Sequence, residues 1–153
     1  MKKLISLFAL LSLVFCLASC GKSNFTLDTD ELVDKIENYD LFLDTLAPIT
    51  ENALSSVVGL STDGIESWTY EIGTGATGEE FGVITCKTED DAKTIKSELE
   101  ERQQSLYDTY ESYSPDSLPR ISDAVLEQKG VYVIFISCDN DDVAQTLIDG
   151  YLD

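Results

Sequence analysis

The chain has no histidine, and only ten lysine and arginine residues against 29 aspartates and glutamates. Without histidine, the commonest general base and the commonest metal ligand are both missing. The scarcity of positive charge leaves a formal net charge of −19 over 153 residues, which repels nucleic acid and anionic lipid headgroups. There is no serine in a Gly-x-Ser-x-Gly turn and no histidine to serve a nucleophile, which excludes the usual nucleophilic hydrolase arrangements. Carboxylates are so numerous that no single pair points to glycosidase chemistry. A phosphate-binding P-loop is absent as well. Gly21-Lys22-Ser23 imitates its end, but Cys16 stands where the required glycine would be.

What is present begins at the N-terminus. Met1-Lys2-Lys3 is a short basic stretch, and Leu4 to Leu17 is apolar apart from Ser6 and Ser12. The run is shorter than the ~20 residues of a spanning helix and ends in small residues, the pattern of a signal peptide. Leu17-Ala18-Ser19-Cys20 resembles a bacterial lipobox, which implies cleavage before Cys20 and a diacylglycerol on its thiol. Two or more acyl chains, at about 0.8 kcal/mol per buried CH₂, hold a protein stably at a membrane. The expected organisation is a signal peptide at 1–19, a lipidated cysteine and tether at 20–27, and a single α+β domain at 28–153. Losing Lys2 and Lys3 leaves eight basic residues against 29 acidic ones, a net charge of −21.

Within the domain, Asp28 and Glu31 form a capping pair for a helix that places Leu32, Val33 and Ile36 on one face. Pro48 suits the start of a second helix bearing Leu54, Val57 and Val58, with Gly59 to stop it. Glu66 to Ile72 alternates as a strand, and Glu79 to Cys86 reads as another. Gly73-Thr74-Gly75-Ala76-Thr77-Gly78 between them is a literal G-x-G-x-x-G. The dinucleotide fingerprint requires a helix next, however, and here a strand follows with Glu79 and Glu80 adding charge; a mobile hairpin loop is expected. Thr88 caps a long helix with the stripe Ala92, Ile95, Leu99, Leu106, Tyr110 and Tyr113, ending at Pro115. Ile121 to Gln128 and Val131 to Cys138 read as a hairpin turning at Lys129-Gly130. A final helix begins near Asp139-Asn140, with Val143, Leu147 and Tyr151 turned inward. At an offset of 52, Cys86, Asp90, Ala92 and Thr94 match Cys138, Asp142, Ala144 and Thr146. The expected fold is therefore N-terminal helices followed by two ββα units, forming one antiparallel sheet with helices packed on one face.

The candidate site residues are few. Arg102 lies where the stripe calls for an apolar side chain. It could hold an anionic group in a groove, or pair with Glu98 while its stem covers Leu99 and Leu106. Tyr110 and Tyr113, with Tyr107, crowd one helix end as a ligand platform or as ordinary packing. Cys86 and Cys138 are a candidate disulfide, the only pair left once Cys20 is lipidated and Cys16 removed. Asp139-Asn140-Asp141-Asp142 invites a calcium reading, but Ala144 and Gly150 occupy the loop positions where an EF-hand has Gly and Glu; no metal and no cofactor is expected.

In this order the elements resemble the small Firmicutes lipoproteins grouped as domain of unknown function four-three-five-eight. The resemblance rests on Val58-Gly59-Leu60, Arg102, Tyr113-Ser114-Pro115, the hairpin from Ala124-Val125-Leu126 to Gly130-Val131-Tyr132-Val133, and the acidic start of the last helix. It implies location and architecture and lends no catalytic residue. The function expected is a non-enzymatic binding or accessory module, anchored on the extracytoplasmic face of the cell membrane, with an envelope protein or small ligand as partner. A carboxylate-based hydrolase of wall glycan is the alternative.

Overall fold

The computed structural model describes residues 25–153; the expected signal peptide, Cys20 and most of the expected tether lie outside the described residues. Of the stretch expected to be tether, Leu27 is buried in the core and the Phe25 ring meets Tyr132 edge-on at 5.8 Å, so both belong to the fold. Helix α1 (Thr29–Asn38) is capped by Asp28, which accepts the Glu31 amide at 3.0 Å, and buries Leu32 and Ile36. Strand β1 (Ala47–Pro48) follows, paired with β2 (Ile65–Ile72). Pro48 is thus an edge-strand residue, where its missing N–H costs no ladder bond, and not a helix start. The helix begins instead at Glu51, capped by Thr50, as α2 (Glu51–Ala53), and widens at once into a π turn, Leu54–Val58. That wider turn returns Leu54 and Val58 to the core but leaves Val57 55 % exposed. Gly59, at φ 93°, ends it.

β2 and β3 (Glu80–Cys86) form the first hairpin, and α3 (Glu89–Tyr113) follows, capped by Thr88. Its stripe buries Ala92, Ile95, Leu99, Leu106 and Tyr110, whereas Tyr113 is 70 % exposed. A 3₁₀ turn at Pro115–Ser117 leads into the short helix α4 (Leu118–Ser122), which takes Ile121 and Ser122 from the stretch that reads as strand in the sequence. Pro119 within the first turn of α4 explains this, since proline is preorganised for a helix start and cannot pair in a ladder. The second hairpin is β4 (Val125–Lys129) with β5 (Tyr132–Ser137), and α5 (Asp141–Leu152) closes the domain.

The strands form one antiparallel sheet in the order β1-β2-β3-β5-β4. The α+β class and the single sheet stand; the one-sided helix layer does not. Phe81, Val83, Ile134 and Ile136 share a core with Leu32 and Ile36 of α1 and with Ala144 and Ile148 of α5. Ile84, Cys86, Val133 and Phe135 share another with Leu54, Val58 and the α3 residues Ala92, Ile95 and Leu99. Successive side chains of a strand point to opposite faces, so these are the two faces of the sheet, both covered. The near-continuous apolar runs of β3 and β5 are the signature of such double burial.

This placement also removes the structural basis of the 52-residue repeat. Ile84 and Cys86 face α3, while Ile136 and Cys138 face α1 and α5. A rotation relating two neighbouring antiparallel strands keeps equivalent residues on the same face. The two ββα units therefore are not symmetry copies, and the matched residues reflect similar strand-to-helix capping.

Candidate functional site

Two adjacent carboxylates at the head of β3 organise the polar chemistry. Glu79 and Glu80 are each 1 % exposed and, by strand alternation, leave the sheet in opposite directions. Arg102 of α3 meets Glu80 in a fork, Nε to Oε1 at 3.0 Å and Nη2 to Oε2 at 2.7 Å, and its Nη1 donates to the Val57 carbonyl at 3.1 Å. The Tyr70 hydroxyl donates to Glu80 Oε1 at 2.7 Å. Burial, then the Glu80 charge, pushes the Tyr70 phenol well above its ordinary value. Burial pulls the Arg102 guanidinium down, but its bonds to Glu80 and that charge prevail and raise it. The pairing with Glu98 is not made: Glu98 accepts the Ser61 amide at 2.8 Å and its hydroxyl at 2.5 Å. With its fork filled by a carboxylate, Arg102 is neutralised inside the fold and holds no charge for an anionic ligand.

On the other face, Glu79 accepts the amides of Leu43, at 3.1 Å, and Asp44, at 2.8 Å, and the Thr77 hydroxyl at 3.0 Å. Arg120 stands 3.9 Å away and binds Asp139 at 2.9 Å. The two glutamates thus face away from one another, each held by donors. Their one sequence signal is position, directly before an unbroken apolar run. Arg120 carries none.

The glycine-rich connection is tied down along its length and is not a free hairpin loop. Asp44 accepts the Thr74 amide and hydroxyl, both at 2.7 Å, and bonding to Thr74 keeps its carboxyl below the usual range despite desolvation. Tyr110, 6 % exposed, donates its hydroxyl to the Gly75 carbonyl at 2.7 Å, and the Ser137 hydroxyl donates to the Gly78 carbonyl at 3.0 Å. A Cβ on Gly78 would lie 2.9 Å from Ile121, at a residue that also has φ 74°. Tyr110 is therefore a loop anchor, and exposed Tyr113 packs edge-on against it at 5.9 Å. Cys86 and Cys138 are free thiols in the two different cores, so the expected disulfide is not formed. Burial pushes the Cys86 thiol up to about 11 and the Cys138 thiol up to about 12, which leaves both protonated and unreactive at neutral pH.

Open hollows lie elsewhere: one of about 370 Å³ is lined by Gln103, Tyr107 and Ile121, and two others flank Tyr39. A hollow of about 320 Å³ is lined by Glu37, Tyr39, Phe42, Asp44, Glu71 and Phe81. Its floor is aromatic, with Phe42 stacked on Phe81 at 6.0 Å. A second hollow, of about 500 Å³ and mainly apolar, is lined by Tyr39, Asp142, Val143, Leu147, Gly150 and Tyr151. It exists because α5 is turned by one residue from the inward face read in the sequence. Ala144 and Ile148 are the buried pair, while Val143 is 44 % exposed.

The sequence profile of a family described as "Domain of unknown function (DUF4358)" matches residues 28–138, and the chain belongs to that family. No curated protein and no solved structure matches.

Proposed function

We propose that this member of the family is a lipoprotein, held by Cys20 at the extracytoplasmic face of the cell membrane, that acts by binding an envelope partner and not by catalysis. The anchor is argued from the basic start, apolar run and Leu17-Ala18-Ser19-Cys20. Binding is carried by one observation, the apolar hollow outside α5, where half-exposed Tyr39 and Val143 border Leu147 and Tyr151. A concave, mostly apolar surface of this volume with a few polar groups at its edge is the usual form of a binding site. The buried pair of Glu80 with Arg102 serves the fold.

The test combines metabolic labelling with an alkyne fatty acid and an in-cell crosslink. The parent chain is expected to label, to fractionate with membranes and to give one dominant crosslinked partner. Cys20→Ala is expected to lose the label and the membrane fraction together. Unlabelled parent chain, or a parent that gives no partner, would overturn the anchor or the binding role respectively.

A further inference from the structure

We infer that the surface centred on Tyr39 receives a basic segment of a protein partner, seating a lysine or arginine side chain in the aromatic hollow and an adjacent apolar side chain against α5. This rests on the binding role proposed above and supplies the chemistry of the partner. Tyr39 is 47 % exposed and lines both hollows, so one short segment crossing it reaches both. The first hollow has the two ingredients that select a cation. Its open aromatic surface is that of Tyr39 and of Phe42, which stacks on buried Phe81, and aromatic faces attract cations. Of its three carboxylates Asp44 is bonded to Thr74, while Glu37 and Glu71 form no salt bridge among the described residues; the carboxylates bonded to Arg102 and Arg120 are satisfied within the fold. Burial, with the charge of Glu37, raises the Glu71 carboxyl, as expected of neighbouring acids without a counter-ion.

The second hollow supplies apolar area. Val143 and Leu147 stand one turn apart on α5, and nothing lies within 4 Å of where a Gly150 side chain would begin. Glycine inside a helix costs about 1 kcal/mol relative to alanine, and here it leaves room for close approach of another chain. Charge decides the occupant. A second copy brings the same large negative charge, and an anionic membrane or nucleic acid is repelled for the same reason. A basic segment is attracted.

The test titrates the full lipidated chain, in nonionic detergent micelles, with acetyl-Gly-Leu-Leu-Lys-Lys-Leu-Gly-amide and with its counterpart carrying glutamate for both lysines. The lysine peptide is expected to bind saturably at one site, and the glutamate peptide not at all. The double variant Glu37→Gln, Glu71→Gln is expected to weaken binding at least tenfold, as is Val143→Asn, while Glu111→Gln on the far helix changes nothing. Glu37→Lys with Glu71→Lys is expected to reverse the preference toward the glutamate peptide, a result that damage to the fold cannot produce. Equal loss with Glu111→Gln would overturn the inference, because diffuse net charge then suffices. Binding of spermidine or calcium at the same residues as tightly as the peptide would overturn it in favour of a small-cation site, and competing self-association would assign the face to a second copy.

In cells, a photo-crosslinking residue at Tyr39 is expected to capture a lysine- or arginine-rich segment, and the same residue at Tyr113 is not. Capture from Tyr113 alone would sink this inference and leave the binding role standing. Capture from neither would sink both.

Discussion

At the level of single residues, the Glu80–Arg102–Tyr70 group shows why a charge in an apolar stripe was visible while its partner was not. Arg102 breaks the periodicity of α3, which one helix reveals. Glu80 lies 22 residues away on another element and looks like one more solvated acid until β3 is known to be buried on both faces. Because the side chains of Arg102 and Glu80 are 12 % and 1 % exposed, Arg102→Ala leaves an uncompensated buried carboxylate and is expected to cost about 3–5 kcal/mol in urea unfolding. Arg102→Leu with Glu80→Leu and Tyr70→Phe should recover most of that loss, since the desolvation of both charges is then removed and no buried hydroxyl is left without its acceptor. A residual loss equal to that of the single variant would mean that the pair contributes specific attraction beyond its own desolvation. The opposite sign is expected at Glu71, whose carboxyl is raised by burial and by Glu37. A raised carboxyl binds protons more tightly folded than unfolded, so its stabilising effect exists at acid pH and is lost as pH rises through the folded value. Glu71→Gln should therefore stabilise the chain at neutral pH, with the difference shrinking below the carboxylate range. A constant difference at all pH values would assign the effect to packing.

At the level of elements, what the sequence made legible was period and capping, and what it hid was rotation and face. Thr88, Asp28 and Gly59 announce their boundaries through local chemistry, and α1, α3, β2 and β3 fall where periodicity puts them. The α5 pattern offers two apolar stripes one residue apart, and only packing against Ile134 and Ile136 chooses Ala144 and Ile148 over Val143 and Leu147. The π turn at Leu54–Val58 shifts the exposed position to Val57 in a way that a 3.6-residue period cannot express. The same rotation of α5 exposes Gly150, whose added Cβ meets nothing within 4 Å. Gly150→Ala is expected to raise stability by about 0.5–1 kcal/mol through helix propensity, measured as an upward shift in Tm. It should at the same time weaken the lysine peptide, because the methyl enters the floor of the hollow. Stabilisation with unchanged binding would show that Gly150 is not part of the contact.

For the whole molecule, acidity acts on folding and on recognition in opposite directions. The fold class was legible because strands and helices alternate in order. The double-faced sheet was not, because a helix can cross to either face over a loop of a few residues, and no single segment records which. The charge was legible throughout, and its consequence depends on the geometry now in place. The chain carries 29 carboxylate side chains against ten basic ones, and among the described residues only Glu79 and Glu80 of the carboxylates are buried. Like charges on a compact body repel, and salt screens them over a length of about 30 Å at 0.01 M and about 8 Å at 0.15 M. Raising sodium chloride across that range is expected to raise Tm, since the folded chain concentrates repulsion that the unfolded chain disperses. The same change is expected to weaken the basic peptide at Tyr39, where attraction between opposite charges is what salt removes. Glu37→Gln with Glu71→Gln should flatten the salt dependence of binding and leave that of stability nearly intact, because two charges are most of the cup and little of the total. Parallel loss of both slopes would mean that binding reads the global field of the chain and not the carboxylates beside Phe42 and Phe81.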